Sequence, residues 1–209
     1  MDRMKLYAIL AVVFVLTAVA GVYVYIATTP QSDDQFADCR TSAIAGGSGQ
    51  IGGPFTLVDE NGATVTDEDV LDVPSLIYFG YTYCPDVCPL DSARNAEAVA
   101  ILDERGYDIQ PIFISIDPER DTPQLLKEFT DYLHPDMLGL TGTQEQVKAA
   151  SQAYRTYFKK QDGDPEYYLM DHSTFTYLTL PGHGFVEFFR RELPAEMLAD
   201  QMACFVEVM

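Results

Sequence analysis

The sequence predicts a mixed α/β domain, a sheet with helices on both faces, carried behind one membrane-crossing helix. Three observations predict it. The first is an uncharged apolar run of 22 residues, Leu6 to Ala27. The second is an alternation of short β-rich runs with segments of helical periodicity from Ser75 onward. The third is a hairpin signal on either side of that alternation.

As a helix, the apolar run is long enough to cross about 30 Å of hydrocarbon. It shows no polar face, which a buried core helix of that length would normally carry. Arg3 and Lys5 precede it, and Asp33 and Asp34 follow it. The positive-inside bias then keeps residues 1–5 cytoplasmic and exports everything after Ala27. A cleaved signal peptide is the alternative, because Ala18-Val19-Ala20 has the small-x-small pattern. The anchor is preferred, since apolar residues continue from Gly21 to Ala27. The expected location is a cell inner membrane, single-pass, with the C-terminal domain in the periplasm (the intermembrane space in a mitochondrion).

Residues 28–52 read as a tether, with Pro30 to Asp34 and then Gly46-Gly47-Ser48-Gly49. The domain follows over 53–209. Phe55 to Val58 and Thr64-Val65, joined across Asn61-Gly62, form a hairpin. Ser75 to Tyr81 is a central strand. Apolar residues at helical spacing make Cys88 to Arg105 a helix that Gly106 ends. Ile109 to Ile116 is a second buried strand. Thr122 caps and Pro123 opens a helix to Tyr132. Met137 to Leu140 is a short strand and Thr143 to Tyr157 a helix. A polar loop, Lys159 to Glu166, leads to strands Thr174–Leu180 and Gly184–Arg190, turned by Pro181-Gly182-His183. Pro194 begins a last helix to about Val208. A domain of this size can bury a sizeable core.

The formal net charge of −19 argues against nucleic acid, whose phosphates such a surface repels. An acidic, solvated surface is the plain reading; attraction for cationic partners or metal ions is the functional one. The chain has four cysteines, and an exported domain places them in an oxidising compartment. They fall into a close pair, Cys84 and Cys88, and a distant pair, Cys39 and Cys204, that bracket the domain. A Cys39–Cys204 disulfide would tie the two ends together and leave the close pair for chemistry. The alternative is that Cys204 is a small buried hydrophobe in an apolar helix face.

Cys84 and Cys88 lie where the central strand ends and a helix begins, in Tyr-Cys-Pro-Asp-Val-Cys-Pro. A helix N-terminus favours negative charge, so a thiol there has a lowered pKa. If the helix includes Cys84, positions i and i+4 put both sulfurs on one face. Two such thiolates either form a disulfide or chelate a soft metal, and a metal needs a third ligand. Of three histidines, His134 precedes Pro135 and reads as a solvated helix end, and His183 lies in a turn. His172 enters a buried strand from a polar loop and is the candidate ligand, although a structural histidine also fits. Asp171 would orient it or bond nearby backbone. Two thiolates and an imidazole suit copper.

The elements Gly53-Pro54-Phe55-Thr56-Leu57, Tyr78 to Pro89, Ser115-Ile116-Asp117-Pro118-Glu119-Arg120-Asp121-Thr122-Pro123 and Asp171-His172-Ser173 occur in that order. In them the sequence resembles the Sco (SCO/SenC) family, membrane-anchored copper chaperones of cytochrome c oxidase assembly. The resemblance implies a thioredoxin-like fold with an added N-terminal hairpin. It implies copper, as Cu(I) or Cu(II), on Cys84, Cys88 and His172, received from an upstream donor. Delivery would be to the CuA site of oxidase subunit II, whose cysteines the family alternatively reduces. Asp86, Asp117 and Asp121 match acidic family positions; for Asp117, turn formation and hydrogen bonding under the site fit as well as metal contact. A thiol–disulfide oxidoreductase is therefore the competing function. A peroxidase is disfavoured, because the proline and threonine positions ahead of a peroxidatic cysteine hold Ile77 and Tyr81.

Overall fold

The computed structural model describes residues 3–28, 34–42, 50–164 and 167–209. It divides into two compact units, Met1–Gln35 and Phe36–Met209. The first unit holds helix α1, Arg3–Thr28, of 26 residues. Every side chain from Ile9 to Tyr25 is exposed although nearly all are apolar. Among the described residues no helix is long and apolar enough to cross a membrane. The span expected over 6–27 is therefore not carried by the described residues.

The second unit starts from a hairpin, β1 Thr56–Asp59 and β2 Thr64–Thr66, in antiparallel register with Leu57 opposite Val65. The Asp59 carboxylate accepts from the Asn61 and Ala63 N–H groups, and Gly62 takes φ 85°, which closes the turn. A one-turn helix that the sequence pattern did not announce follows, α2 Asp67–Val70. The Thr66 hydroxyl and N–H both donate to Asp69 at its start. Then come β3 Ser75–Gly80, α3 Val87–Glu104, β4 Gln110–Ser115, α4 Pro123–Leu133, β5 Leu138–Thr141 and α5 Gln144–Ala153. Thr122 and Thr143 accept from the Leu125 and Gln146 N–H groups, so both expected caps are made. After α5 the pattern departs from expectation. The helix stops at Ala153 because Arg155 takes φ 51°, and a strand pair, β6 Phe158–Lys160 with β7 Met170–His172, replaces part of the polar loop. The chain ends with β8 Thr176–Leu180, β9 Gly184–Phe189 and α6 Ala195–Glu207.

The large sheet has the order β2-β1-β5-β4-β3-β8-β9. Strands β3, β4 and β5 are parallel, and β1, β8 and β9 join antiparallel to their neighbours. The β3–α3–β4 and β4–α4–β5 crossovers, right-handed as such units are, place α3 and α4 on one face. Helix α6 packs beside α3 there. On the other face Tyr154, at the end of α5, meets the rings of Phe55, Phe79 and Tyr177. Strand β3 is buried at all six positions, since both its faces are covered.

The residues expected to be a free tether are docked where they are described. Phe36 is buried against Phe205 and the edge of His183. The Arg40 guanidinium donates to the Val186 carbonyl, and the Thr41 and Ser42 N–H groups donate to the buried Glu187 carboxylate. Cys39 and Cys204 are joined in a disulfide with Cα atoms 5.7 Å apart, closing a loop of 165 residues.

Candidate metal centre

The close cysteine pair sits at the C-terminal end of β3, the central strand of the sheet. Helix α3 begins at Val87, close to the expected start at Cys88, so Cys84 precedes the helix and the one-face arrangement that its inclusion would have allowed is not formed. The loop brings the sulfurs together instead. The Cys84 N–H donates to the Tyr81 carbonyl (3.2 Å), and the Cys88 N–H donates to the Cys84 sulfur (3.3 Å). Both thiols are free and buried. Hydrogen bonds from the Cys88 thiol, the Asp86 and Cys88 N–H groups and the Tyr81 hydroxyl bring the Cys84 pKa down to about 5, against the pull of burial. Cys88 is held well above the ordinary thiol range, because its proton is given to Cys84 and its sulfur is fully buried. The two shifts run in opposite senses, so Cys84 is the thiol of the pair that gives up its proton more readily.

His172 ends β7, and its Nε2 lies 3.3 Å from the Cys88 sulfur. Its Nδ1 lies 3.3 Å from the Met170 carbonyl. A carbonyl only accepts, so Nδ1 donates to it, and Nε2 is the ring nitrogen turned toward the sulfur. Tyr81 supports both partners: its ring stands edge-on to His172 at 5.8 Å, and its hydroxyl accepts from the Met170 N–H. Beneath Cys88 the Tyr78 hydroxyl bonds the buried Asp91, which Arg191 approaches at 3.4 Å.

The chemistry of this donor set fits a soft metal ion. A single ion with bonds of roughly 2.3 Å to sulfur and 2.0 Å to nitrogen needs the two atoms about 3.5 Å apart. The Cys88–His172 contact is within a few tenths of an ångström of that. Among the described residues no group of three such side chains is already closed into a metal cage.

The expected aspartates divide. Asp86 is exposed, and only its N–H serves the site, through Cys84. Asp171 faces away and accepts from Gln161 at 2.6 Å; the Met170 carbonyl holds His172 in its place. Asp121 is buried and accepts from the Thr82 N–H and hydroxyl and the Ser115 hydroxyl, which ties the site loop to β4. Burial raises its pKa. Asp117 is buried and binds Tyr168 and Arg120. His183 is exposed in its turn. His134, expected at the surface, is buried instead, with Nδ1 accepting from the Asp136 N–H and Nε2 3.4 Å from Asp103. Tyr81, Tyr168 and Met170 escaped the sequence reading, because hydrophobic tyrosines and a loop methionine carry no spacing signal. Tyr81 lies three residues before Cys84, and that proximity was the one available hint.

Fold and site together define a class: a thioredoxin-like α/β protein with two thiols and an imidazole gathered at the end of its central strand. Residues 45–207 match the family model described as SCO1/SenC. The chain is 52% identical over 203 residues to protein SenC of Rhodobacter capsulatus, covering 97% of this chain and 91% of that one. It is similar to Arabidopsis thaliana ScoI with copper bound, at TM-score 0.72 and 38% identity over 75% of this chain and 99% of that one. It is likewise similar to yeast Sco1 with copper bound, at TM-score 0.70 and 38% identity over 76% and 89% of the two chains. The chain belongs to the SCO1/SenC family.

Proposed function

We propose that this protein is a membrane-anchored copper-binding assembly factor, which delivers copper to the CuA site of cytochrome c oxidase subunit II. One observation carries the reading: the His172 Nε2 lies 3.3 Å from the Cys88 sulfur, and the Cys88 N–H donates to the Cys84 sulfur at 3.3 Å, so two sulfurs and an imidazole nitrogen are gathered at one place. Soft thiolates with imidazole select copper, and the relatives with copper bound support the choice. Release would proceed by ligand exchange, with a client thiolate or imidazole replacing one donor at a time. The uncharged apolar run Leu6 to Ala27, preceded by Arg3 and Lys5, supports an anchor in an inner membrane with the copper domain on its outer side.

The decisive variant is His172→Ala. Copper affinity should fall by more than the roughly 10–100-fold that loss of a supporting residue costs, while the Cys84–Cys88 disulfide still forms. Unchanged affinity would overturn the three-ligand site. Anchoring is tested by alkaline extraction of membranes, from which the full chain should not be released.

A second reading is favoured by the low Cys84 pKa and the unpaired thiols. In it Cys84 attacks a sulfur of a disulfide in subunit II and expels one client thiolate. Cys88 then attacks Cys84, releasing the second client thiolate and leaving a Cys84–Cys88 disulfide, so two electrons pass to the client. Mass measurement of the oxidised and reduced domain with Cu(I) joins the readings, because only the reduced pair can hold the ion.

A further inference from the structure

His172 belongs to the small β6–β7 sheet, which lies outside the seven-strand ladder. Its position against the cysteines therefore depends on what fastens that hairpin down. The fastening centres on Tyr168, two residues before β7 and only 4% exposed. The Arg120 guanidinium carbon lies 3.6 Å from the Tyr168 ring centre, and the Lys160 Nζ lies 3.7 Å from it. Two cations that close to one ring must occupy opposite faces, so the ring is sandwiched. Its hydroxyl donates to Asp117 (2.7 Å), and Arg120 Nε donates to the other oxygen of the same carboxylate. The guanidinium also faces Tyr83 and Tyr81, at 4.8 and 5.7 Å. Lys160, on β6, pairs with Glu119 at 2.6 Å. The turn after β4 thus covers one face of the ring with Arg120, and its Glu119 pairs with the Lys160 that covers the other. That turn is itself fixed to β4 and the cysteine loop, because Asp117 N–H donates to Ser115 and Asp121 accepts from Ser115 and Thr82.

We propose that Tyr168 and Arg120 are positioning residues, which set His172 against the cysteine pair by clamping the β6–β7 hairpin to the turn after β4. Neither side chain donates to copper. Arg120 Nη2 is buried with no hydrogen-bond partner, so the guanidinium is held by the stacked rings and the Asp117 ion pair. The clamp itself stands without the copper reading; only its consequence for affinity rests on it.

The test measures amide hydrogen exchange of the reduced, metal-free protein and, in parallel, Cu(I) affinity by competition with a chelator. In Arg120→Ala and Tyr168→Leu, exchange at Gln161, Met170 and Ser173 should accelerate at least tenfold, with Ile77 and Ile114 unchanged. Cu(I) affinity should fall about 10–100-fold, the scale for losing the support of a ligand. Oxidation of Cys84 and Cys88 to the disulfide should proceed as in the parent chain. Tyr168→Phe keeps the ring between its cations and should hold both quantities within about threefold of the parent, since one hydrogen bond is lost and the stacking kept. If Arg120→Ala does not fold, Arg120→Lys, which keeps the charge and loses the flat stack, carries the test. Unchanged exchange in the hairpin overturns the clamp. Faster exchange with unchanged affinity overturns its positioning role. If His172→Ala also leaves affinity unchanged, the copper reading fails instead, and the exchange data still decide the clamp.

Discussion

The two cysteine pairs show how the same residue is put to opposite uses at the two ends of one sheet. Cys84 and Cys88 follow the C-terminal end of β3, one on the loop and the other in the first turn of α3. Cys39 and Cys204 lie at the other end, where the β8–β9 turn brings His183 onto Phe36. The distant pair closes 165 residues of chain, and the strap around it is pinned by Glu187. The near pair spans four residues and is reduced. A crosslink between distant residues restrains the unfolded chain far more than one between neighbours does. A thiol pair on a short loop is correspondingly cheap to open and suits repeated chemistry. Stability is concentrated at one end, and reactivity at the other.

The comparison can be broken most forcefully at the disulfide. The double variant Cys39→Ser with Cys204→Ser should cost roughly 2–5 kcal/mol, the usual range for a native disulfide. A thermal melt would read this as a fall of about 5–15 °C for a domain of this size, with copper stoichiometry unchanged. A melt within a degree of the parent would show that Phe36 and Glu187 hold the strap by themselves.

Next comes the pH dependence of the near pair. Alkylation of Cys84 in the reduced protein should rise through about pH 5 and stay flat from pH 6 to 8. The unfolded chain's thiols should instead gain about tenfold per pH unit there, as groups titrating above pH 8 do. The linkage sign follows. A folded pKa below the ordinary value near 9 makes Cys84 contribute stability above pH 9, and this is lost as pH falls from 9 to 5. Cys88, shifted upward, acts in the opposite sense: its contribution is complete below pH 9 and is withdrawn as pH rises further. A profile for Cys84 centred near 9 would remove the asymmetry between the two thiols.

A smaller effect is expected beneath the near pair. A Cβ at Gly80 would lie 2.8 Å from the Tyr78 ring, 2.9 Å from the Phe113 ring and 3.1 Å from the Cys88 sulfur. Gly80→Ala should therefore cost about 1–3 kcal/mol in a denaturant melt, as overpacking does, and should lower copper affinity. A neutral outcome in both would show that the cysteine loop shifts freely. Smallest is the exposed Arg105–Asp200 pair on the α3–α6 side, 2.7 Å long. Arg105→Ala should change stability by less than about 1 kcal/mol, since solvent and salt screen such pairs.

Much of the fold is readable in the sequence because its signals are local. The buried run Ser75 to Tyr81, the Thr122-Pro123 helix start and the Asn61-Gly62 turn each rest on neighbours within a few residues. Helix α2 and strands β6 and β7 were missed, since each has only three or four residues and none carries the Asn-Gly turn that marks β1 and β2 or the apolar run that marks β5. At the site, Cys84 and Cys88 announce themselves by spacing. His172 could be proposed from its place in the chain but not set against Cys88, from which it is separated by 84 residues.

By itself, then, the sequence determined which residue types could do soft-metal or thiol chemistry and which strand would present them. It also determined the sign of the surface charge and the apolar run at the N-terminus. Only the tertiary structure decided that Cys84 stays outside the helix, that the Met170 carbonyl and not Asp171 is the partner of His172 Nδ1, and that Tyr168 is gripped between Arg120 and Lys160. The reason is physical. Periodicity and caps act over a few residues, whereas hydrogen-bond partners and ring contacts are chosen by whichever groups packing brings together from distant parts of the chain.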